Sequence, residues 1–200
     1  HFGALPGLFP IDAAAATLAG REPAPAGHHD ALRAAAGLMD KSLLLRAETS
    51  VVPTSPLYYM LDTVRAYAAR ELAASGERDA ALEGLVRYCT DEASLAAEGL
   101  VGADQVNWLG RVREDLESYR AALRWLVDRG RPAEASHIAS GLMFFWWIRG
   151  HAAEGLQWYE QILNLTSLPP AAESRALLGA AAMGYAQGGL ERARTALTRA

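Results

Sequence analysis

The sequence predicts a mainly α-helical fold with one short β-hairpin in its first third and paired helices toward its end. Three observations carry this. From Leu61 onward apolar residues recur at steps of three and four, the spacing of one helix face. Around Pro53 and Pro56 the pattern changes to two short apolar runs flanking a turn-rich stretch, as in a hairpin. Two glycine turns, at Gly150 and Gly188, lie 38 positions apart between helical segments of matching length.

The elements follow in order. Phe2 to Phe9 is apolar and broken by glycine and proline. Ile11 to Leu18 reads as a short Ala-rich helix, with Pro10 before it and Gly20 after it. Residues 21–27 read as a loop, and a second helix is expected from about His29 to Met39. Strands are expected near 42–47 and 56–60. Helix, helix, hairpin, helix is the order of a winged helix. Leu61, Val64, Ala68 and Leu72 mark the helix after it, which stops near Ser75-Gly76. Another helix runs from about Glu77 to Leu100. Leu109, Val112, Leu116, Tyr119, Leu123 and Leu126 then form one long apolar stripe, expected to be core and to join the two halves rigidly.

The last part contains a repeat. Helices are expected over 133–149, 152–165, 171–187 and 190–200. Superposing Gly150 on Gly188 places Gly155 on Ala193 and Tyr159 on Leu197, a small residue where helices approach and a large one filling the groove. The period falls in the range of helix-pair solenoids of the tetratricopeptide type. The expected organisation is a winged-helix-like domain over 1–75, linking helices over 76–131, and a truncated tetratricopeptide-like array over 132–200. Because Leu197 has nothing after it to cover it, the last helix is expected to be a cut face exposing apolar area.

Composition narrows the function classes. Hydrophobic residues are 51% of the 200 and charged residues 21%, enough for a core and too apolar for a disordered chain. A formal net charge of −4, with Lys41 the single lysine, argues against a surface built for nucleic acid. Cys89 is the single cysteine, so no disulfide can form within the chain and a cysteine-based zinc site is excluded; this fits a cytoplasmic location. No apolar run is long enough to span a bilayer, and no signal peptide is visible. The abundance of alanine fits a GC-rich bacterial source.

Few residues invite chemistry. Lys41-Ser42 follows Asp40, which would repel phosphate, and lacks the upstream glycines of a P-loop, so nucleotide hydrolysis by this chain is not expected. His28-His29-Asp30 opens a helix; adjacent histidines point about 100° apart on a helix and do not share a metal. His137 and His151 have no carboxylate or thiol at ligand spacing. No catalytic residue and no metal site is therefore expected. Phe144-Phe145-Trp146-Trp147 covers every side of a helix, so at least two of the four must be buried. Trp146 or Trp147, with Arg149 beside them, could face a ligand or partner. The second helix offers Arg33 alone as a basic residue, with Lys41 just past its end, which makes a poor major-groove reader.

Several segments together resemble one family. They are Gly7-Leu8-Phe9-Pro10-Ile11-Asp12-Ala13-Ala14, Leu38-Met39-Asp40-Lys41-Ser42-Leu43-Leu44, and Tyr58-Tyr59-Met60-Leu61-Asp62-Thr63-Val64-Arg65-Ala66-Tyr67-Ala68. Trp108-Leu109, Arg120 to Trp125 and Phe145 to Gly155 continue the series. In order and spacing they are similar to the winged-helix segment, linking helices and first helical repeats of bacterial STAND-type signalling ATPases, which often end in a LuxR-type helix-turn-helix or are fused to cyclase domains. The resemblance implies a fragment of a longer regulator whose P-loop ATPase and output domains lie outside this chain. It implies ATP or ADP only on that absent ATPase domain, and no cofactor here. It implies a protein or small-molecule inducer on the helical array, the parent's own ATPase domain as partner, and neither nucleic acid nor membrane contact by this fragment. Leu61 stands where related ATPases carry a phosphate-sensing histidine, Leu57 where arginine is common, and Ser118 where asparagine is usual. Leu61, Asp62 and Arg65 thus become candidates for the face turned toward the nucleotide domain, with Asp62 expected as a helix N-cap. The expected function is signal relay. The alternatives are a stand-alone scaffold of helical repeats and a winged-helix DNA-binding module.

Overall fold

The computed structural model describes residues 1–20, 27–47 and 55–189. Among them the fold is mainly α, with nine helices and a small antiparallel sheet. The chain forms two compact units: His1–Cys89 with Arg113–Ala122, and Thr90–Val112 with everything from Leu123 onward.

The first unit opens with a 3-10 turn, Phe2–Ala4, and strand β1, Phe9–Pro10. Helices α1 (Ile11–Ala19) and α2 (Gly27–Asp40) follow, then strands β2 (Leu45–Arg46) and β3 (Leu57–Tyr59), then α3 (Asp62–Ala74). The expected hairpin is present as β2 and β3, with Leu45 opposite Tyr59. The sequence did not announce β1, which pairs Phe9 with Tyr58 and makes β3 the central strand. A proline is compatible with that place because an edge strand leaves one row of N–H groups unused. Residues 48–54 lie outside the described residues, as does the loop expected over 21–27 except for Gly27, which belongs to α2. Phe2, Leu5, Phe9, Leu44, Leu57 and Leu85 form the core of this unit. Gly84, on α4 (Arg78–Gly99), lies so close to α1 that a Cβ would sit 2.0 Å from the Ala16 carbonyl oxygen.

The long stripe is not one helix. Helix α5 (Gln105–Glu114) ends and α6 (Leu116–Asp128) begins on either side of Asp115. The buried Asp115 carboxylate accepts a 2.8 Å hydrogen bond from the Tyr88 hydroxyl, while its carbonyl accepts from the Tyr119 N–H. An aspartate suits this helix-start position. Apolar spacing could not reveal the break, because each helix keeps its face across one residue. Leu109 and Val112 belong to the second unit, Leu116 and Tyr119 to the first, and Leu123 and Leu126 to the second. Leu116 is half-buried, a correction to its expected place in the core, whereas Leu123 is fully buried. Leu123→Ala should therefore cost about 2–5 kcal/mol and Leu116→Ala only about 1 kcal/mol. Urea titration of both variants would check this, and equal losses would contradict the assignment.

In the second unit α7 (Pro132–Arg149) turns at Gly150 into α8 (Ala152–Leu163), and α9 (Pro170–Ala186) follows. Gly150 and Gly188 are both left-handed, with φ of 75° and 78°, a conformation that glycine adopts without steric cost. Gly155 lies against Trp146, while the Tyr159 hydroxyl donates to the Ala139 carbonyl at 2.9 Å, so α7 and α8 run antiparallel. Tyr159 in turn lies under Gly179, and Gln187 donates to the Ala152 carbonyl, so α8 and α9 are antiparallel too. Gly155 and Tyr159 thus fill the small and large roles assigned to them. Their counterparts Ala193 and Leu197, the helix expected over 190–200 and the expected cut face lie outside the described residues.

Burial pushes the Tyr159 phenol well above its ordinary value near 10, a Ser140 hydrogen bond opposing only in part. The neutral phenol is the form the fold holds. Its stabilisation is fully present below the unfolded value of about 10 and is lost as pH rises beyond it. Alkaline unfolding of this unit should accordingly steepen above pH ~10. Tyr159→Phe should flatten that limb while costing about 1 kcal/mol at neutral pH for the lost hydrogen bond. An unchanged alkaline limb, followed by circular dichroism, would contradict it.

Candidate functional site

The residues singled out at the end of the sheet do come together. Leu61 ends the connection from β3 and caps α3 by backbone alone, with φ −59° and ψ 145°. Asp62 is the first residue of α3 and not its N-cap, a correction to the expected role; its side chain makes no capping bond. Instead the Arg65 guanidinium donates to the Asp62 carboxylate at 2.7 Å, one turn apart. The Asp62 side chain is 92% exposed, so this pair is screened by water and contributes little to stability. Leu61 is 51% exposed and is no core residue.

These three residues line an open cavity of about 660 Å³ in the first unit. Pro6, Gly7 and Leu8 form one wall, Tyr59 and Met60 another, and Glu117 a third. Gly7 is left-handed at φ 61°, and a Cβ there would meet the Glu117 side chain at 2.9 Å. Glu117 is itself paired with Arg120. The mouth is thus apolar, with Leu8 and Leu61 both exposed, and carries Arg65 as its cation beside two carboxylates. Such a lining suits an apolar segment of another domain better than a bare phosphate. An isobutyl group at Leu61 offers no hydrogen bond, and Asp62 adds negative charge.

The second cluster divides differently. Trp146 is fully buried, edge-on to Tyr159 at 6.0 Å, and Phe145 is buried beside it. Trp146 is therefore core, which removes it from the partner-facing candidates. Trp147 is 43% exposed and stacks on Tyr185 of α9 at 6.1 Å and 24°. Arg149 is exposed at the end of α7. Tyr185 was missed, although its distance of 38 positions from Trp147 repeats the spacing of the two turn glycines and could have found it.

The remaining candidates sit apart. His28 bonds the Asp12 carboxylate at 2.9 Å on the surface, and His29 is exposed. His137 bonds the Ser94 hydroxyl at 2.8 Å, and His151 stacks on Phe145. Among the described residues no three His, Cys, Asp or Glu side chains converge as a metal site would need. Lys41 and Ser42 lie in the turn after α2, without a phosphate-binding loop. The exposed face of α2 shows Leu32 and Met39, and Arg33 is paired with Asp30 at 2.6 Å. Among the described residues no helix is long and apolar enough to cross a membrane.

Compared with known proteins, the chain is similar to curated proteins of Mycobacterium bovis and of two Mycobacterium tuberculosis strains, each named "Putative HTH-type transcriptional regulator". Each is 33% identical over 127 residues, which is 64% of this chain and 14% of the relative. The chain therefore spans about one seventh of the length of the curated relatives it matches. No protein-family profile matches it. No solved structure matches it.

Proposed function

We propose that this chain is the relay and sensing segment of a transcriptional regulator of the STAND signalling type. The observation that carries the reading is the 127-residue similarity to much longer regulators, of which the matched stretch is about one seventh. The cavity around Leu61 is lined by an ion pair and apolar groups, a lining that supports docking of a neighbouring domain. In this reading the cavity around Leu61 receives the neighbouring nucleotide-binding domain. The helix pairs of the second unit, of tetratricopeptide character, take up the inducer. The ATP or ADP belongs to the neighbouring domain, and the DNA-reading helix-turn-helix belongs elsewhere in the parent protein.

The test is Leu61→His in the full-length protein. An imidazole there can donate to a diphosphate where leucine cannot. The expected result is tighter ADP binding by about tenfold and a lower transcriptional output, because the closed state is favoured. Unchanged ADP affinity and unchanged output would show that this end of the first unit does not face a nucleotide domain.

A further inference from the structure

Helix α2 leaves an apolar seam in solvent. Ala31 and Ala35 are buried and turn one side of α2 into the first unit. Leu32, Ala36 and Met39 follow at steps of four and three, so they share another side of the helix. Leu43 continues the row from the turn just beyond. Its N–H donates to the Leu38 carbonyl at 2.9 Å across the left-handed Ser42, which holds that turn against the helix end. Leu32, Met39 and Leu43 leave 41%, 39% and 38% of their surfaces exposed, and Ala36 is exposed between them. Steps of four, three and four are the d-a-d-a spacing of a coiled-coil seam. Arg33 and Asp40 then occupy successive e positions along its edge and carry opposite signs. In the helix order of a winged helix α2 stands where a DNA reader would. Its exposed side offers one arginine, already paired with Asp30, and no basic row.

We infer that this seam is a self-association surface, occupied by α2 of a second copy of the chain packed antiparallel about a two-fold axis. A two-fold contact uses one patch twice, so the patch must be complementary to itself. Run antiparallel, Leu32 faces Leu43 of the second copy and Ala36 faces Met39, a small side chain opposite a long one in both inner layers. Arg33 of each copy then lies beside Asp40 of the other, so each end of the contact carries an ion pair. A parallel pair would stack like on like, Ala36 on Ala36 and Met39 on Met39, and would bring neither charge to an opposite one. The Arg33–Asp30 pair within one copy does not oppose the exchange, because both side chains are more than half exposed and such a pair contributes little. One helix side is a small area, so the contact belongs to the weak, transient class of interface.

The inference is independent of the relay reading, and its test needs neither nucleotide nor transcription. The 200-residue chain is brought to sedimentation equilibrium at low salt, from about 10 µM to about 0.5 mM, where weak contacts are populated. The expected result is a mean mass that rises with concentration from 21.4 kDa toward twice that value. Leu32→Lys should weaken association by at least about tenfold, because it places a charge in the seam. Val106→Lys, at an exposed position elsewhere, should associate as the unaltered chain does. Arg33→Asp and Asp40→Arg should each weaken association by about tenfold, since each sets like charges against one another at both ends. Mixed in equal amounts, these two variants should associate as the unaltered chain does, because the mixed pair has opposite charges at both ends again. A change in folding alone cannot produce that rescue, and circular dichroism confirms that each variant is folded. A monomer at every concentration would overturn the inference and leave the seam to a domain outside this chain. A dimer unmoved by Leu32→Lys, or charge variants that stay weak when mixed, would overturn it as well.

Discussion

Gly141→Ala should destabilise the second unit by about 2–3 kcal/mol, although alanine is the better helix former. Gly141 lies inside α7, and a Cβ there would stand 2.3 Å from the Ala93 carbonyl oxygen. The obstacle is backbone, so the two helices must separate. Gly37, inside α2, has nothing within 4 Å of the same added atom. Gly37→Ala should stabilise by up to about 1 kcal/mol from propensity alone. The opposite signs are the diagnostic, and urea titration followed at 222 nm reads both. Gly141→Ala matching Gly37→Ala would mean that α7 does not meet the Ala93 backbone. Gly84→Ala, against the Ala16 carbonyl, should behave like Gly141→Ala in the first unit.

Trp146→Ala should cost about 3–5 kcal/mol, the range for emptying a buried large aromatic site. The indole is fully buried, with Gly155 on one face and Tyr159 edge-on. Its Nε1 has no hydrogen-bond partner among the described residues. Trp146→Phe removes that unsatisfied donor along with some volume, so it should cost clearly less. Trp147→Ala, one residue on, should cost clearly less, about 1 kcal/mol, because 43% of its surface is already exposed. The contrast separates the buried tryptophan from the half-exposed one. A silent Trp146→Ala in thermal melts would contradict the burial.

The helices were legible because their apolar positions repeat every three to four residues over long spans, and their ends carry glycine or proline. The hairpin was legible because Pro53 and Pro56 interrupt a strand-like pattern. Strand β1 was not, since two residues, one of them proline, carry no period. The break at Asp115 escaped for a related reason: a single buried carboxylate held by Tyr88 is a tertiary event, and the stripe on either side keeps its phase. The same held at the site. The resemblance brought Leu61, Asp62 and Arg65 together, and they do line one cavity. That Asp62 would pair with Arg65 rather than cap α3 depends on Leu61 taking the cap position by backbone alone. Four successive aromatics told that some were buried, but which two depended on where α8 and α9 lie.

The relay claim is tested most directly by transcript profiling in the source organism. The encoding gene is deleted and then restored either unaltered or with Leu61→Arg. Leu61 is half exposed, so arginine there should leave the fold intact while placing a charge in the mouth of the apolar cavity. The expected result is a discrete set of transcripts altered by deletion, restored by the unaltered gene, and not restored by the Leu61→Arg gene at equal protein level. Full restoration by Leu61→Arg, or no altered transcripts on deletion, would contradict a regulator that signals through this face.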